Sequence, residues 1–283
     1  MMTYHYRIAN FAFTLNTLNT INSKGALSYF QTPATQGDHA AVVNQINQMY
    51  DTQNAQILGV YDWFESKCTF LRHQNTYCWL RVDAISGEKE QLVWQGDAPT
   101  EFTIYSSMRR HVVEHMMLIA ASYAMLPHGA LVIHSSVIEN DGRGFMFLGE
   151  SGTGKSTHTS LWIKHITGSM MLNDDGPVVR VEGTKVSVHG SPWSGKGCVY
   201  RNVALPIQGI YRLSQAPQNK IAKLNTTQAL GAMLHSCLPQ LMTVEKHTDM
   251  ALNILSDIIA TTPLFHLECL PDEEAARMSF NQK

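Results

Sequence analysis

The sequence predicts an α/β fold, with a mixed-sheet domain over residues 106–283 preceded by a small β-rich, α+β domain over residues 1–105. Three observations predict it. The first hundred residues carry short runs in which apolar and polar side chains alternate. From about Ser106 the pattern becomes helix and strand in turn. A glycine-rich loop (Gly149, Gly152, Gly154) then separates an apolar run from a helical stretch.

In the N-terminal part, Tyr4-His5-Tyr6-Arg7-Ile8 and Phe11-Ala12-Phe13-Thr14-Leu15 alternate as half-buried strands do, and 57–61 and 77–82 continue that character. Residues 31–54 are polar and rich in Gln and Asn, so they read as a loop or loose insertion. Trp63, Trp79 and Trp94 read as packing residues. In the C-terminal part, 108–126 is apolar nearly all round, which suits a helix buried under a sheet, and Pro127-His128-Gly129 ends it. Residues 130–138 read as one buried strand, 139–144 as a tight turn, and 145–148 as a second strand. A helix from about Lys155 to His165 follows the glycine-rich loop. Met170-Met171-Leu172 reads as a short strand ending in Asn173-Asp174-Asp175-Gly176, with strands at 178–181 and 185–189 beyond it. Residues 207–213 are strand-like and 226–238 helical. Residues 244–260 form an amphipathic helix through Ala251, Ile254, Leu255 and Ile258. A last strand at 264–270 precedes a helix capped by Asp272.

Composition narrows the class. The 283 residues are 44% hydrophobic and 16% charged, an ordinary globular balance. A net charge of -2 without basic runs argues against nucleic acid as a partner. The five cysteines are scattered and form no C-x-x-C pair, which favours free thiols in a reducing compartment over a zinc site or disulfides. The N-terminus lacks a signal-peptide pattern, and no apolar run reaches the ~18 residues of a membrane span. The expectation is a soluble cytoplasmic protein that does not meet a membrane.

Gly149-Glu150-Ser151-Gly152-Thr153-Gly154-Lys155-Ser156 fits G-x-x-x-x-G-K-[ST] at every defined position. Such a loop gathers backbone N–H groups around a phosphate, and the helix that follows turns the positive end of its dipole to the same anion. Lys155 reaches toward the β- and γ-phosphates, the Ser156 hydroxyl takes a place on magnesium, and Thr157 completes the binding set. The expected ligand is a nucleoside triphosphate. Lacking an Asn-Lys-x-Asp element to read guanine, the chain favours ATP.

Phosphoryl transfer further requires a metal and an aligned acceptor. Asp174 and Asp175 follow Lys155 by 19 and 20 positions, at the end of a short strand. One could hold magnesium while the other accepts the proton of an attacking hydroxyl. Asn-Asp-Asp-Gly is also good turn chemistry, so a solvated turn stays open. His134, taken alone, reads as a core histidine of a buried strand. Gly190-Ser191-Pro192-Trp193-Ser194-Gly195-Lys196-Gly197 suits either a flap bringing Lys196 to a phosphate or a structural turn.

Together, His134-Ser135-Ser136, the loop 149–157 beginning 15 residues after that histidine, and Asn173-Asp174-Asp175-Gly176 resemble one superfamily. It unites HPr kinase/phosphorylase with phosphoenolpyruvate carboxykinase. The resemblance covers roughly 128–200 and implies a P-loop kinase domain of that type. It places His134 and the aspartates around the metal and γ-phosphate. Carboxykinases are much longer, and their substrate arginines have no counterpart here. The Pro-Gly-Arg-Asn element of HPr kinase/phosphorylases is absent, which argues against HPr as substrate and against phosphorolysis. What remains is similar to small bacterial HPr-kinase-like proteins.

The expected function is an ATP- and magnesium-dependent kinase acting on a hydroxyl, on Ser or Thr of a protein or peptide or on a small metabolite. Its catalytic set is Asp174, Asp175, His134, Lys155 and Lys196, with magnesium on Ser156 and Asp174. Two alternatives stay open: carboxykinase-like decarboxylation of oxaloacetate with phosphoryl transfer, and a nucleotide-gated binding module or pseudokinase. A homo-oligomer also stays open, and residues 1–105 could recognise a partner or mediate assembly.

Overall fold

The computed structural model describes residues 1–18, 20–21, 25–63, 65–195 and 197–282. It divides into two compact units, one of residues 1–128 with 240–250 and one of residues 129–239 with 251–283.

The first unit is built on a nine-stranded sheet: β1 (Met2–Ile8), β2 (Phe11–Thr17), β3 (Gln31–Thr32), β4 (Asp38–Gln45), β5 (Gln56–Trp63), β6 (Ser66–His73), β7 (Thr76–Asp83), β8 (Lys89–Gln95) and β9 (Glu101–Tyr105). Their order is β3-β1-β2-β4-β9-β8-β7-β6-β5. Pairing is antiparallel apart from β2 with β4 and β4 with β9. Helix α1 (Arg110–Met125) belongs to the same unit. It packs through Tyr123, whose ring lies 4.5 Å from Trp94, and through His115, stacked on Trp63 at 3.8 Å. The sheet buries one carboxylate, Glu90, which binds Arg81 and accepts hydrogen bonds from the Ser106 and Ser107 hydroxyls. A charge taken out of water needs such partners.

Residues 31–54, expected as a loop, hold β3 and β4 instead. In β4 the alternation is real, with Ala41, Val43 and Gln45 buried, but small side chains and polar neighbours weaken its apolar signal.

The second unit contains β10 (Ala130–Val132), β11 (Ser135–Asn140), β12 (Arg143–Leu148), β13 (Met170–Asn173), β14 (Val178–Glu182), β15 (Lys185–His189), β16 (Ala204–Gln215), β17 (Lys220–Lys223) and β18 (Leu264–Cys269). They pair in the order β10-β14-β15-β16-β12-β11-β13, with β18 between β16 and β17. β16 runs parallel to both β12 and β18 while the other pairs are antiparallel, so the chain is a mixed α/β structure with large mixed sheets. The helices are α2 (Lys155–His165), α3 (Thr226–Leu234), α4 (Glu245–Thr261) and α5 (Glu273–Phe280). Residues 245–250 of α4 count with the first unit and the rest with the second.

Two expectations are corrected here. Residues 130–138 are not one strand: β10 pairs with β14, β11 pairs with β12 and β13, and the chain breaks at Ile133-His134 between them. The turn expected over 139–144 narrows to Asp141-Gly142, at φ +50° and +68°, because Glu139 and Asn140 stay in the ladder. Two successive positive φ angles suit the twist of a hairpin.

Strand β12 and helix α2 are locked together by aromatic packing. Trp162 is fully buried against Phe145 and Phe147 in a cluster that includes Tyr211, Phe265 and Leu267. Its Nε1–H donates to Ser279 Oγ on α5 at 2.9 Å and to His158 Nε2 at 3.2 Å. Truncating Trp162 to alanine should cost about 3–5 kcal/mol and loosen the whole strand–loop–helix unit.

Buried histidines make stability depend on pH. Burial lowers His115 to about 3, with the Arg81 charge adding to it. Burial also lowers His158 to about 4 and, together with Arg180, His189 to about 4. The unfolded chain takes up those protons at the ordinary value of about 6.5. Stability is therefore complete above that pH. As pH falls from about 6.5 toward 4 it should drop by up to ~1.4 kcal/mol per unit for each group. Urea midpoints measured near pH 7.5, 5.5 and 4.5 should fall steadily, and a constant midpoint would contradict this.

Candidate functional site

The loop 149–154 leaves the end of β12 and enters α2 at Gly154. Gly152 and Gly154 lie at φ +86° and +104°, a region that L side chains rarely adopt. A Cβ at either would meet no atom within 4 Å, so backbone conformation rather than crowding requires glycine there. The first turn of α2 has neither a side-chain cap nor an acidic residue. Glu150 and Ser151 are exposed at the loop's tip, and the Glu150 carbonyl accepts hydrogen bonds from Thr153 N and Oγ1. Ser156 and Thr157 are exposed on the first turn.

Lys155 is 9% exposed and folds back over the loop. Its ammonium donates to the Gly149 carbonyl at 2.6 Å and the Glu150 carbonyl at 3.2 Å, and lies 3.1 Å from His134 Nε2. Burial lowers its pKa, opposed by the charges of Asp175 and Asp174. His134 is half-exposed in the break between β10 and β11, and its Nδ1 is 3.0 Å from Asp175 Oδ1. The ring thus accepts from Lys155 at Nε2 and donates from Nδ1 to the carboxylate. Lys155, His134 and Asp175 form one connected chain.

The backbone holds this chain in place. His134 N donates to the Ser236 carbonyl at 2.7 Å, and Ser135 N to the Asp175 carbonyl at 3.0 Å. The Asn-Asp-Asp-Gly segment is the turn its composition suggests: Asn173 Oδ1 accepts from the N–H groups of Asp175 and Gly176, each at 3.0 Å. Asn173 itself is fully buried and donates to the carbonyl and hydroxyl oxygens of Ser191. Turn chemistry therefore aims the two carboxylates. Asp174 goes a different way from Asp175, accepting from Ser136 Oγ at 3.2 Å and Gly197 N at 3.3 Å.

Of the sequence-expected residues, the structure brings Lys155, His134 and Asp175 together, and Asp174 pairs with Ser136 and the loop 190–197. Lys196 lies outside the described residues. Ser136, Asn173 and Ser191 were not singled out as site residues. The signal was present in His134-Ser135-Ser136 and in the Asn before the acidic pair, but only the tertiary pairing of β11 with β13 gives it meaning.

The donor set fits magnesium. That ion takes hard oxygens, is usually bound through one or two carboxylates plus phosphates, and keeps several waters. Ser156 and Asp174 supply a hydroxyl and a carboxylate of that kind. Among the described residues no group of three or more His, Cys, Asp or Glu could form a closed metal cage. No helix among them is long and apolar enough to cross a membrane.

No protein-family model matches the chain, and no curated protein does. Among solved structures, the Hpr(Ser) kinase/phosphatase from Coxiella burnetii is similar over 53% of this chain and 91% of that one, at 11% identity and a TM-score of 0.30. A likeness at that level carries no argument about chemistry, which rests on the residues above.

The Asn173 latch is open to a direct test. Asn173→Ala removes a buried amide and leaves Ser191 and two N–H groups short of partners, so it should cost about 1–3 kcal/mol. The urea midpoint should fall at an unchanged m-value, and a wild-type midpoint would show that the latch does not hold the turn.

Proposed function

We propose that the second unit binds a nucleoside triphosphate with magnesium, ATP by preference, and transfers its γ-phosphoryl group to a hydroxyl acceptor. The observation that carries this reading is the chain Lys155–His134–Asp175 at the mouth of a G-x-x-x-x-G-K-S loop. A phosphate-binding loop alone would only hold the nucleotide. A carboxylate–histidine pair wired to its lysine adds groups able to manage a proton and a charge.

In this reading the N–H groups of the loop and of the first turn of α2 receive the phosphates. Lys155 exchanges the Gly149 and Glu150 carbonyls for phosphate oxygens, its charge sustained by the two aspartates against its burial. Magnesium, held on Ser156 and Asp174, supplies charge neutralisation and alignment of the phosphates. Asp175 takes the acceptor's proton, with His134 Nδ1–H keeping its carboxylate oriented. The acceptor oxygen bonds to the γ-phosphorus, the bond from phosphorus to the bridging oxygen breaks, and its electron pair leaves with the diphosphate. Acceptors that fit are Ser or Thr of a protein or peptide, or a small metabolite. The first unit, with its separate sheet, is proposed to recognise that acceptor or to mediate assembly.

Incubating the full chain with γ-labelled ATP, magnesium and a cell lysate should move label to one protein or metabolite. Lys155→Ala should abolish transfer, and undiminished transfer in that variant would overturn the assignment. Asp175→Asn should reduce turnover at least about a hundredfold, the scale of general-base catalysis, while shifting nucleotide affinity far less. Equal losses in both would mark Asp175 as structural.

A further inference from the structure

Beside the loop lies a cleft of about 410 Å³ with walls from four segments. Thr153, Gly154 and Thr157 line it on the side of the loop, Leu161 continues along α2, and the ends of β16 and β18 supply Gln215, Ala216 and Leu270 among others. Its volume is that of a small-molecule site, and its surface is mostly apolar, with Thr153, Thr157, His158 and the Gln215 amide as its polar side chains. Leu270 is 37% exposed toward solvent, an apolar surface left uncovered. Burial, with the Asp272 charge adding to it, raises the Cys269 thiol and keeps that wall neutral. The Gln215 amide Nε2 donates to the Gly152 carbonyl at 3.2 Å, joining the cleft to the loop backbone. Two larger hollows, of about 560 and 570 Å³, are lined by no residue of the loop 149–157.

We propose that this cleft holds the nucleoside end of the bound triphosphate, and that Gln215 reads its base as adenine. The proposal rests on the phosphate-loop reading above. A triphosphate seated on the loop has its nucleoside at the loop's flank, and this cleft opens from Thr153, Gly154 and Thr157 on that flank. A planar base finds apolar walls in Leu161, Ala216, Leu270 and Pro271. The side-chain amide of Gln215 presents a donor edge and an acceptor edge, the pairing that matches adenine's amino group and adjacent ring nitrogen. On the edge formed by the amino group and N7, guanine presents two acceptors, O6 and N7, so the amide's acceptor oxygen loses its partner. The bond to Gly152 uses one of the two amide hydrogens and leaves the other, with the amide oxygen, for the base.

The test is calorimetric titration of the full chain with magnesium, using ATP, GTP and inorganic tripolyphosphate. Ala216→Trp fills the cleft and should weaken ATP at least about tenfold while leaving tripolyphosphate within about twofold. Gln215→Leu should narrow the preference for ATP over GTP at least about fivefold. Leu270→Trp closes the cleft from the opposite wall and guards against a local disturbance by the first variant. Unaltered ATP binding in both tryptophan variants, with tripolyphosphate still bound, would overturn the cleft assignment and leave the phosphate loop standing. Parallel losses of ATP and tripolyphosphate in both would also overturn it, since the cleft would then only support the loop. If the wild-type chain binds neither ligand, the phosphate-loop reading fails first and this one with it.

Discussion

The first turn of α2 begins at Gly154 with no side chain to cap it, and that uncapped helix end is the constraint on which the site depends. A helix start leaves about four backbone N–H groups without partners and carries roughly half a positive charge. Two helices are closed by side chains: Asn225 closes α3 with a capping box, and Asp272 caps α5, which also has Glu273 and Glu274 in its first turn, whereas α1, like α2, starts without a side-chain cap. At α2 the positive φ of Gly154 replaces a capping residue, and no acid neutralises the first turn. What can satisfy those N–H groups is water or an anion. The aromatic packing of Trp162 fixes that end relative to β12, so the donors are held in place.

The second constraint is a balance of charge around Lys155. Burial disfavours its ammonium, and the two aspartates sustain it. Without a phosphate the lysine satisfies itself on the loop's own carbonyls and on His134. A phosphate oxygen would be a stronger acceptor than a carbonyl, so the exchange runs in its favour. In the proposed reading, release of Lys155 would free His134 Nε2 while Nδ1 stays on Asp175. In that reading, one movement of one side chain would link occupancy of the loop to the state of the group beside it.

Much of this was legible in the sequence because it is local. The loop pattern, the helix from Lys155 to His165 and the Asp272 cap depend on neighbours a few residues apart, and each stands where expected. The turn chemistry of the Asn-Asp-Asp-Gly segment was legible too, since Asn173 Oδ1 accepts from the Asp175 and Gly176 N–H groups with both carboxylates partly exposed beside it. Less was legible where contacts are distant. The break at Ile133-His134 arises because Ile133 bridges Cys237 and His134 N meets the Ser236 carbonyl, partners more than a hundred residues away. Apolar residues on both sides of His134-Ser135-Ser136 read as one strand and give no hint of those partners. Strand β4 was hidden for another reason: Ala41 and Val43 are small, and the strand is completed by its pairing with β2 and the distant β9 on either side. The role of Gln215 was equally silent, since a glutamine at a strand end is ordinary until Gly152 is found beside it.

The most direct measurement is a crystal structure of the full chain grown with magnesium and the β,γ-imido analogue of ATP. The account predicts phosphate oxygens on the N–H groups of the loop and of the first turn of α2. It also predicts Lys155 Nζ on those oxygens instead of the Gly149 carbonyl, with His134 still paired to Asp175. An analogue bound away from the loop, or on the loop with Lys155 still tied to Gly149 and His134, would contradict it.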